Sequence, residues 1–167
     1  QSVVCAGVDV VVEGAGYAPV GALTLAGKVL DPADLAQTLP ALLRLAQAAA
    51  LCNDASLHER AGDWQLAGDP TEGALLTLAM KTGLALARLR IEHERLDIIP
   101  FESEHRYMAT LDRRGAGNVL AVKGAPERVL AMCARQAARH GGTEPLDLPF
   151  WRAAIHAQAQ AGRRVLA

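Results

Sequence analysis

Valine dominates the run from Val3 to Val12, and that density of β-branched residues predicts a strand. Gly14-Ala-Gly16 breaks the run. Tyr17 to Leu25 then reads as a second strand, placed as a possible hairpin partner. Asp31-Pro32 is a turn or helix-start signal. Pro40 argues against one long helix from there, because it lacks an N–H and clashes with the preceding turn. Thr38 is therefore expected to cap a helix that carries Pro40 in its first turn. Leu42, Leu43, Ala46, Ala49 and Ala50 form the buried stripe of that helix, which ends near Cys52-Asn-Asp54.

Trp64 to Ala67 reads as a short strand. Asp69-Pro70 opens a helix over Pro70 to Thr82, with Leu75, Leu78 and Ala79 on its apolar face and Gly83 as its stop. Arg95 to Phe101, Tyr107 to Asp112 and Val119 to Lys123 read as strands. The last two are joined as a hairpin by the turn Arg114-Gly-Ala-Gly-Asn118. Pro126 starts a helix to about Ala134, Gln136 to Pro149 is a loop, and Phe150 to Ala161 is the final helix. Arg164 to Ala167 begins a strand or a link. Hairpin-paired strands interleaved with helices predict an α+β domain, a twisted and mainly antiparallel sheet flanked by helices.

Composition narrows the field. The chain of 167 residues is long enough for one domain with a sizeable core. Half of it is apolar and only 4% is aromatic, so that core is expected to be Ala, Leu and Val. The net charge is −1 and no basic run exists, which argues against nucleic acid as the main partner. Arginine far outnumbers lysine and alanine abounds, the composition of a GC-rich bacterial genome. Cys5, Cys52 and Cys133 lie far apart with no Cys-x-x-Cys pair, which signals neither a disulfide framework nor a zinc site and fits a reducing cytosol. The five histidines show no metal-ligand spacing. No apolar run approaches the ~20 residues of a membrane helix. No signal peptide is seen, and both ends lie in strand-like sequence. These ends predict a domain excised from a longer chain.

Four strings carry the functional signal: Gly68-Asp-Pro-Thr-Glu-Gly-Ala-Leu75, Pro100-Phe-Glu-Ser-Glu-His-Arg-Tyr-Met108, Val122-Lys-Gly-Ala-Pro-Glu127 and Arg164-Val-Leu-Ala167. In that order they resemble the nucleotide-binding domain of P-type cation-transporting ATPases, on the calcium-pump-like branch. The resemblance runs from Tyr17 to Ala167. Gly14 to Gly21 looks like the family's opening segment, whereas as a phosphate loop it lacks the third glycine of a dinucleotide fingerprint and no obvious helix follows. The resemblance implies the same antiparallel sheet flanked by helices. It also implies ATP with accompanying Mg²⁺ as ligand, with the phosphorylation, actuator and transmembrane domains of one pump as partners. The isolated domain is expected to be monomeric, a cytoplasmic part of an integral membrane protein.

Each site residue has a structural role to set beside the one the resemblance implies. Phe101 ends an apolar strand; it either anchors the strand in the core or is the family's adenine-stacking phenylalanine, a contact of ~1–3 kcal/mol per base. Glu72 sits three residues after Asp69, with Pro70 at the first helical position. It completes a capping box, or it accepts a hydrogen bond from the adenine amino group. Thr71 lies beside it in the same string. Lys123 closes a strand. Gly124 after it allows close approach of a ligand to the backbone, and the helix start at Pro126 favours anions; in the family this string lines the pocket with the lysine beside the base. Arg106 departs from the lysine more usual in the family, and its planar guanidinium is not an ammonium. Ser103 stands where the calcium pumps of animal muscle carry arginine. Arg164, with Arg163 as its alternative, corresponds to the arginine near the hinge that reaches the β-phosphate. Cys52-Asn-Asp54 reads as structural support behind the pocket.

The family transfers the γ-phosphate to an aspartate in an Asp-Lys-Thr-Gly-Thr sequence, which is not here; the look-alike Lys81-Thr-Gly83 lacks the aspartate. The fragment is therefore expected to bind ATP and turn nothing over, presenting the γ-phosphate in the intact pump to a separate domain. A regulatory or interaction domain with little nucleotide affinity is the second reading, supported by Ser103 and Arg106. A self-contained hydrolase lacks any nucleophile–base pairing. The transported ion is not legible, because its selectivity would lie in membrane helices.

Overall fold

Three Ala-Gly dipeptides shape the strands. The computed structural model describes residues 1–167. In it Ala6-Gly7 (φ 46° and 75°), Ala26-Gly27 (50° and 79°) and Ala61-Gly62 (52° and 87°) each put two successive residues at positive φ. That is the requirement of a type I′ turn, whose twist suits a two-residue hairpin. The first splits the valine run into β1 (Ser2–Cys5) and β2 (Val8–Val12), correcting the single strand expected over Val3 to Val12. The second joins β3 (Leu23–Leu25) to β4 (Lys28–Val29). These four strands form an antiparallel sheet in the order β1-β2-β3-β4. The third joins β5 (Ser56–Arg60), which the sequence reading missed, to β6 (Asp63–Ala67).

The strand expected over Tyr17 to Leu25 is confined to Leu23–Leu25. The residues before it form a loop laid on α3 (Pro70–Lys81), where Thr77 Oγ1 donates to the Tyr17 carbonyl at 3.2 Å. Lys81, from the same helix, is buried and donates to the Glu13 carbonyl. Burial pushes the Lys81 ammonium below its ordinary value, with Glu13 opposing. A Cβ on Gly14 would stand 2.5 Å from the Lys81 Nζ. The Gly14 turn is thus filled by the chain's own lysine.

α1 (Leu35–Thr38) precedes α2 (Pro40–Leu51), and Pro40 takes the first helical position as expected. Thr38 does not cap α2: it ends α1, and its hydroxyl donates to the Asp34 carbonyl at 3.0 Å. Leu39 holds the cap position, 1% exposed. Burying a leucine contributes about 1.5–3 kcal/mol, more than the ~1 kcal/mol of a typical cap, so the core claims the position. Ala46, Ala50 and Leu51 of α2 pack with Leu76 and Ala79 of α3 and with Leu89 of α4 (Leu86–Glu92). On the other side Leu42 joins Val10, Val12, Leu23 and Leu78. Leu43 and Leu75, expected in buried stripes, are only half-buried.

β7 (Arg95–Glu102), β8 (Tyr107–Arg114) and β9 (Gly117–Gly124) form a second antiparallel sheet with β8 in the centre. Met108 and Ala121 of this sheet meet Cys52 at the end of α2. α5 (Pro126–Met132) follows. Within the segment expected as a loop, β10 (Arg135–Ala137) pairs with β11 (Thr143–Pro145). α6 (Leu148–Gln160) starts two residues earlier than expected, because Asp147 accepts from the Phe150 amide at 3.0 Å and caps it there. Arg164 to Ala167 forms no strand, but Ala167 exchanges two backbone hydrogen bonds with Gly124, at 2.8 and 3.1 Å. The architecture is α+β, with all strand pairing antiparallel and spread over four sheets flanked by helices.

Candidate functional site

The start of α3 is fixed by local chemistry. Asp69 is extended (φ −71°, ψ 135°), and its Oδ1 accepts from the amides of Thr71 at 2.8 Å and Glu72 at 3.2 Å. The Glu72 amide, helped by the Thr71 amide and hydroxyl and the Arg164 charge, holds the Asp69 carboxyl below the usual carboxylate range, with desolvation opposing. Pro70 sits at the first helical position, where its missing N–H costs nothing. Glu72 does not return a bond to the Asp69 amide, so the capping box expected from the spacing is only half made.

The Glu72 carboxylate goes elsewhere. Its Oε1 accepts from Lys123 Nζ at 2.6 Å and its Oε2 from the Asp54 amide at 3.2 Å. The two side chains of this ion pair are 16% and 12% exposed. A pair this sheltered keeps more of its Coulomb energy than a surface pair, and neither charge is left alone to bear its desolvation cost. Lys123 is brought there by register: it faces Met108 across the β8–β9 ladder, so both project from the helix-covered face. Behind them Cys52 donates its thiol to the Met108 carbonyl at 3.4 Å. Burial pushes that thiol up, although Lys123 and Arg95 pull the other way.

Phe101 lies near the end of β7 and is 59% exposed, which removes its reading as a core anchor. A register shift falls between Ile99 and Glu102. Glu102 faces Tyr107, and Tyr107 faces Gly124, so these three share one side of the sheet. Phe101, one residue earlier, lies inside that shift, where the alternation of the strand is interrupted. The aromatic ring stands largely in solvent, whereas the ion pair is under cover.

The remaining candidates divide. Arg164 Nη1 reaches Thr71 Oγ1 at 3.3 Å, which brings a cation to the mouth of α3. Its alternative, Arg163, turns instead to Ser2 at 2.9 Å and to Gln158. Arg106 (φ 59°) sits in the turn between β7 and β8, and its guanidinium pairs with Glu127 of α5 at 2.6 Å. Ser103 lies exposed in the same turn and makes no side-chain hydrogen bond. Gly124 needs its missing side chain for the chain's own sake: a Cβ there would stand 2.6 Å from Tyr107 Cα, against rigid backbone. The space a side chain would take there is filled by the chain's own backbone. The start of α5 is a poor anion site, since the helix has seven residues and the amide of Ala125 before it is given to the Arg106 carbonyl.

Sequence reasoning missed the arginines that hold the end of α2. Arg95 pairs with Asp54 at 2.6 Å and donates to the carbonyls of Leu51 and Asn53 at 2.7 and 2.8 Å. Arg90 donates to the carbonyls of Asn53 and Ala55. These bonds close the exposed carbonyl end of a helix from about forty residues away, and no local pattern announces them.

Known proteins resemble this chain in sequence. The family described as P-type ATPase, cytoplasmic domain N matches residues 41–167. The chain is 39% identical over 168 residues to the cation-transporting ATPase pma1 of Synechocystis sp., covering 100% of this chain and 18% of that protein. It is 40% identical over 155 residues to the probable cation-transporting ATPase F of Mycobacterium tuberculosis, covering 92% and 17%. It is 33% identical over 125 residues to the calcium-transporting ATPase of Bacillus subtilis, covering 74% and 14%. The chain thus spans less than a fifth of the length of these relatives.

Proposed function

The chain belongs to the family of P-type ATPase cytoplasmic N domains, and on that premise we propose that it binds ATP, with adenine stacked on Phe101 and its amino edge turned to Glu72. One observation carries the reading: a ring 59% exposed stands on β7 of the same three-stranded sheet whose β9 supplies Lys123 to the sheltered pair with Glu72. An exposed aromatic offers a shelf for a base, worth ~1–3 kcal/mol. A carboxylate already fixed by two donors offers an acceptor whose position costs little further ordering. Lys123 lies beside the base, and Arg164 with Thr71 lies toward the phosphates. Arg106 is available to the phosphates only by leaving Glu127. Gly124 serves by keeping β8 and β9 close behind Lys123, and Ser103 borders the site from its turn. No three His, Cys, Asp or Glu side chains gather as a metal-ligand group; in this reading Mg²⁺ arrives on the nucleotide phosphates.

The parent protein of this domain is a cation-transporting ATPase anchored in a membrane, with this domain on its cytoplasmic side. There it delivers the γ-phosphate to an aspartate of another domain. No helix described is long and apolar enough to cross a membrane. Phosphoryl transfer needs an acceptor positioned with Mg²⁺, so this chain alone is expected to release no phosphate. Thermal melts with and without ATP test the binding: a ligand that binds only the folded state raises the melting temperature by mass action. A melt unmoved by millimolar ATP would favour the regulatory reading, and steady phosphate release tracking the purified chain would contradict the absence of turnover.

A further inference from the structure

Asn53 is the most completely bonded polar side chain near the site, and it touches no part of the proposed nucleotide position. It is 0% exposed. Its Nδ2 donates to the carbonyl of Ala49 at 3.2 Å and to that of Glu72 at 3.0 Å. Its Oδ1 accepts from the Ala55 amide at 3.0 Å. The next residue, Asp54, gives its amide to the Glu72 carboxylate. Two successive residues after α2 therefore hold one residue of α3 twice, Asn53 by its backbone and Asp54 by its side-chain tip. Arg95 then locks this short segment from outside through Asp54 and the Asn53 carbonyl.

We infer that Asn53 is a positioning residue for purine selection: it sets the distance between the end of α2 and the first turn of α3, and so fixes where the Glu72 carboxylate points. The inference rests on the reading of Glu72 as the acceptor for the purine edge. A carboxylate with one oxygen held by an ammonium and the other by an amide cannot swing to suit the base. It accepts from an amino group at the purine 6-position and repels a carbonyl oxygen there. If Asn53 is lost, the two helices keep their apolar packing through Ala46, Ala50, Leu76 and Ala79, but the carboxylate gains freedom and selection weakens.

The test is titration calorimetry of the chain with ATP and with ITP, which carries a 6-carbonyl in place of the amino group. The wild type is expected to prefer ATP by on the order of tenfold, the value of one hydrogen bond to a charged group. Asn53→Ala should bring that ratio close to unity, and adding it to Glu72→Ala should change ATP affinity no further, since it acts through Glu72. Asn53→Ser, which keeps an acceptor for the Ala55 amide, is the milder variant if the alanine form does not fold. A merely structural role would weaken both nucleotides equally and leave the ratio intact, which would overturn the inference, as would additive losses in the double variant. In the wild type, the Asn53 side-chain amide protons should exchange slowly with solvent by NMR; fast exchange would also overturn it. Failure of the underlying reading looks different: the wild type would show no preference, or Glu72→Ala would bind both nucleotides like the wild type.

Discussion

The two sides of the candidate site are held in opposite ways. Glu72 and Lys123 sit under cover, tied to each other, to Asp54 and, through Asn53, to the end of α2. Phe101 stands largely in solvent near the end of β7. The first side is bonded into the fold; the second is a largely exposed ring. Selection needs an acceptor that does not move, whereas stacking needs only an accessible flat surface, because every base has a π-face.

The comparison breaks if disturbing the covered side leaves the fold untouched. Lys123→Ala strands the Glu72 carboxylate, and a stranded buried partner costs about 1–3 kcal/mol. Denaturant unfolding should show that loss, and nucleotide affinity should fall with it. Gly124→Ala, next to Lys123 in β9, forces a Cβ against Tyr107 backbone and should cost a comparable ~1–3 kcal/mol as an overpacking effect. Asp69→Asn sharpens the picture through pH. The folded Asp69 carboxyl lies below its ordinary value of 3.8. Its stabilisation is therefore complete above that value and is lost as the pH falls through the lowered folded one. Acid titrations of stability should be flatter in the asparagine variant in that range. Smallest of all, Arg106→Ala removes an ion pair half in water, worth ~0–1 kcal/mol, and thermal melts should barely register it.

The parts of this molecule legible in its sequence are those made by neighbours in the chain. Asp69-Pro70 announced the start of α3 because a cap acts over three residues. Arg114 to Asn118 announced its turn through glycine. The Ala-Gly hairpins went unread at Ala6, Ala26 and Ala61 because alanine is an unusual residue at positive φ, tolerated here where the strands on both sides are paired. α4 has no capping side chain at Ala85, so nothing marked its start. At the candidate site, the strings around Glu72 and Lys123 were singled out by resemblance, and the fold brings these two side chains together. Spacing alone wrongly gave the Glu72 carboxylate to the Asp69 amide. Its actual partners come from residues 18 and 51 positions away, a choice made by the packing of α2, α3 and β9 and invisible to local pattern.

The central claim is that the exposed side binds without supporting the fold, and calorimetric titration of ATP into the wild type and Phe101→Ala tests it most directly. The account predicts binding at ~1 mM or tighter for the wild type, about −4 kcal/mol. It predicts a loss of ~1–3 kcal/mol of that binding in the variant, with melting temperature little changed. Binding of equal strength in the two proteins would contradict the assignment of the adenine shelf to Phe101.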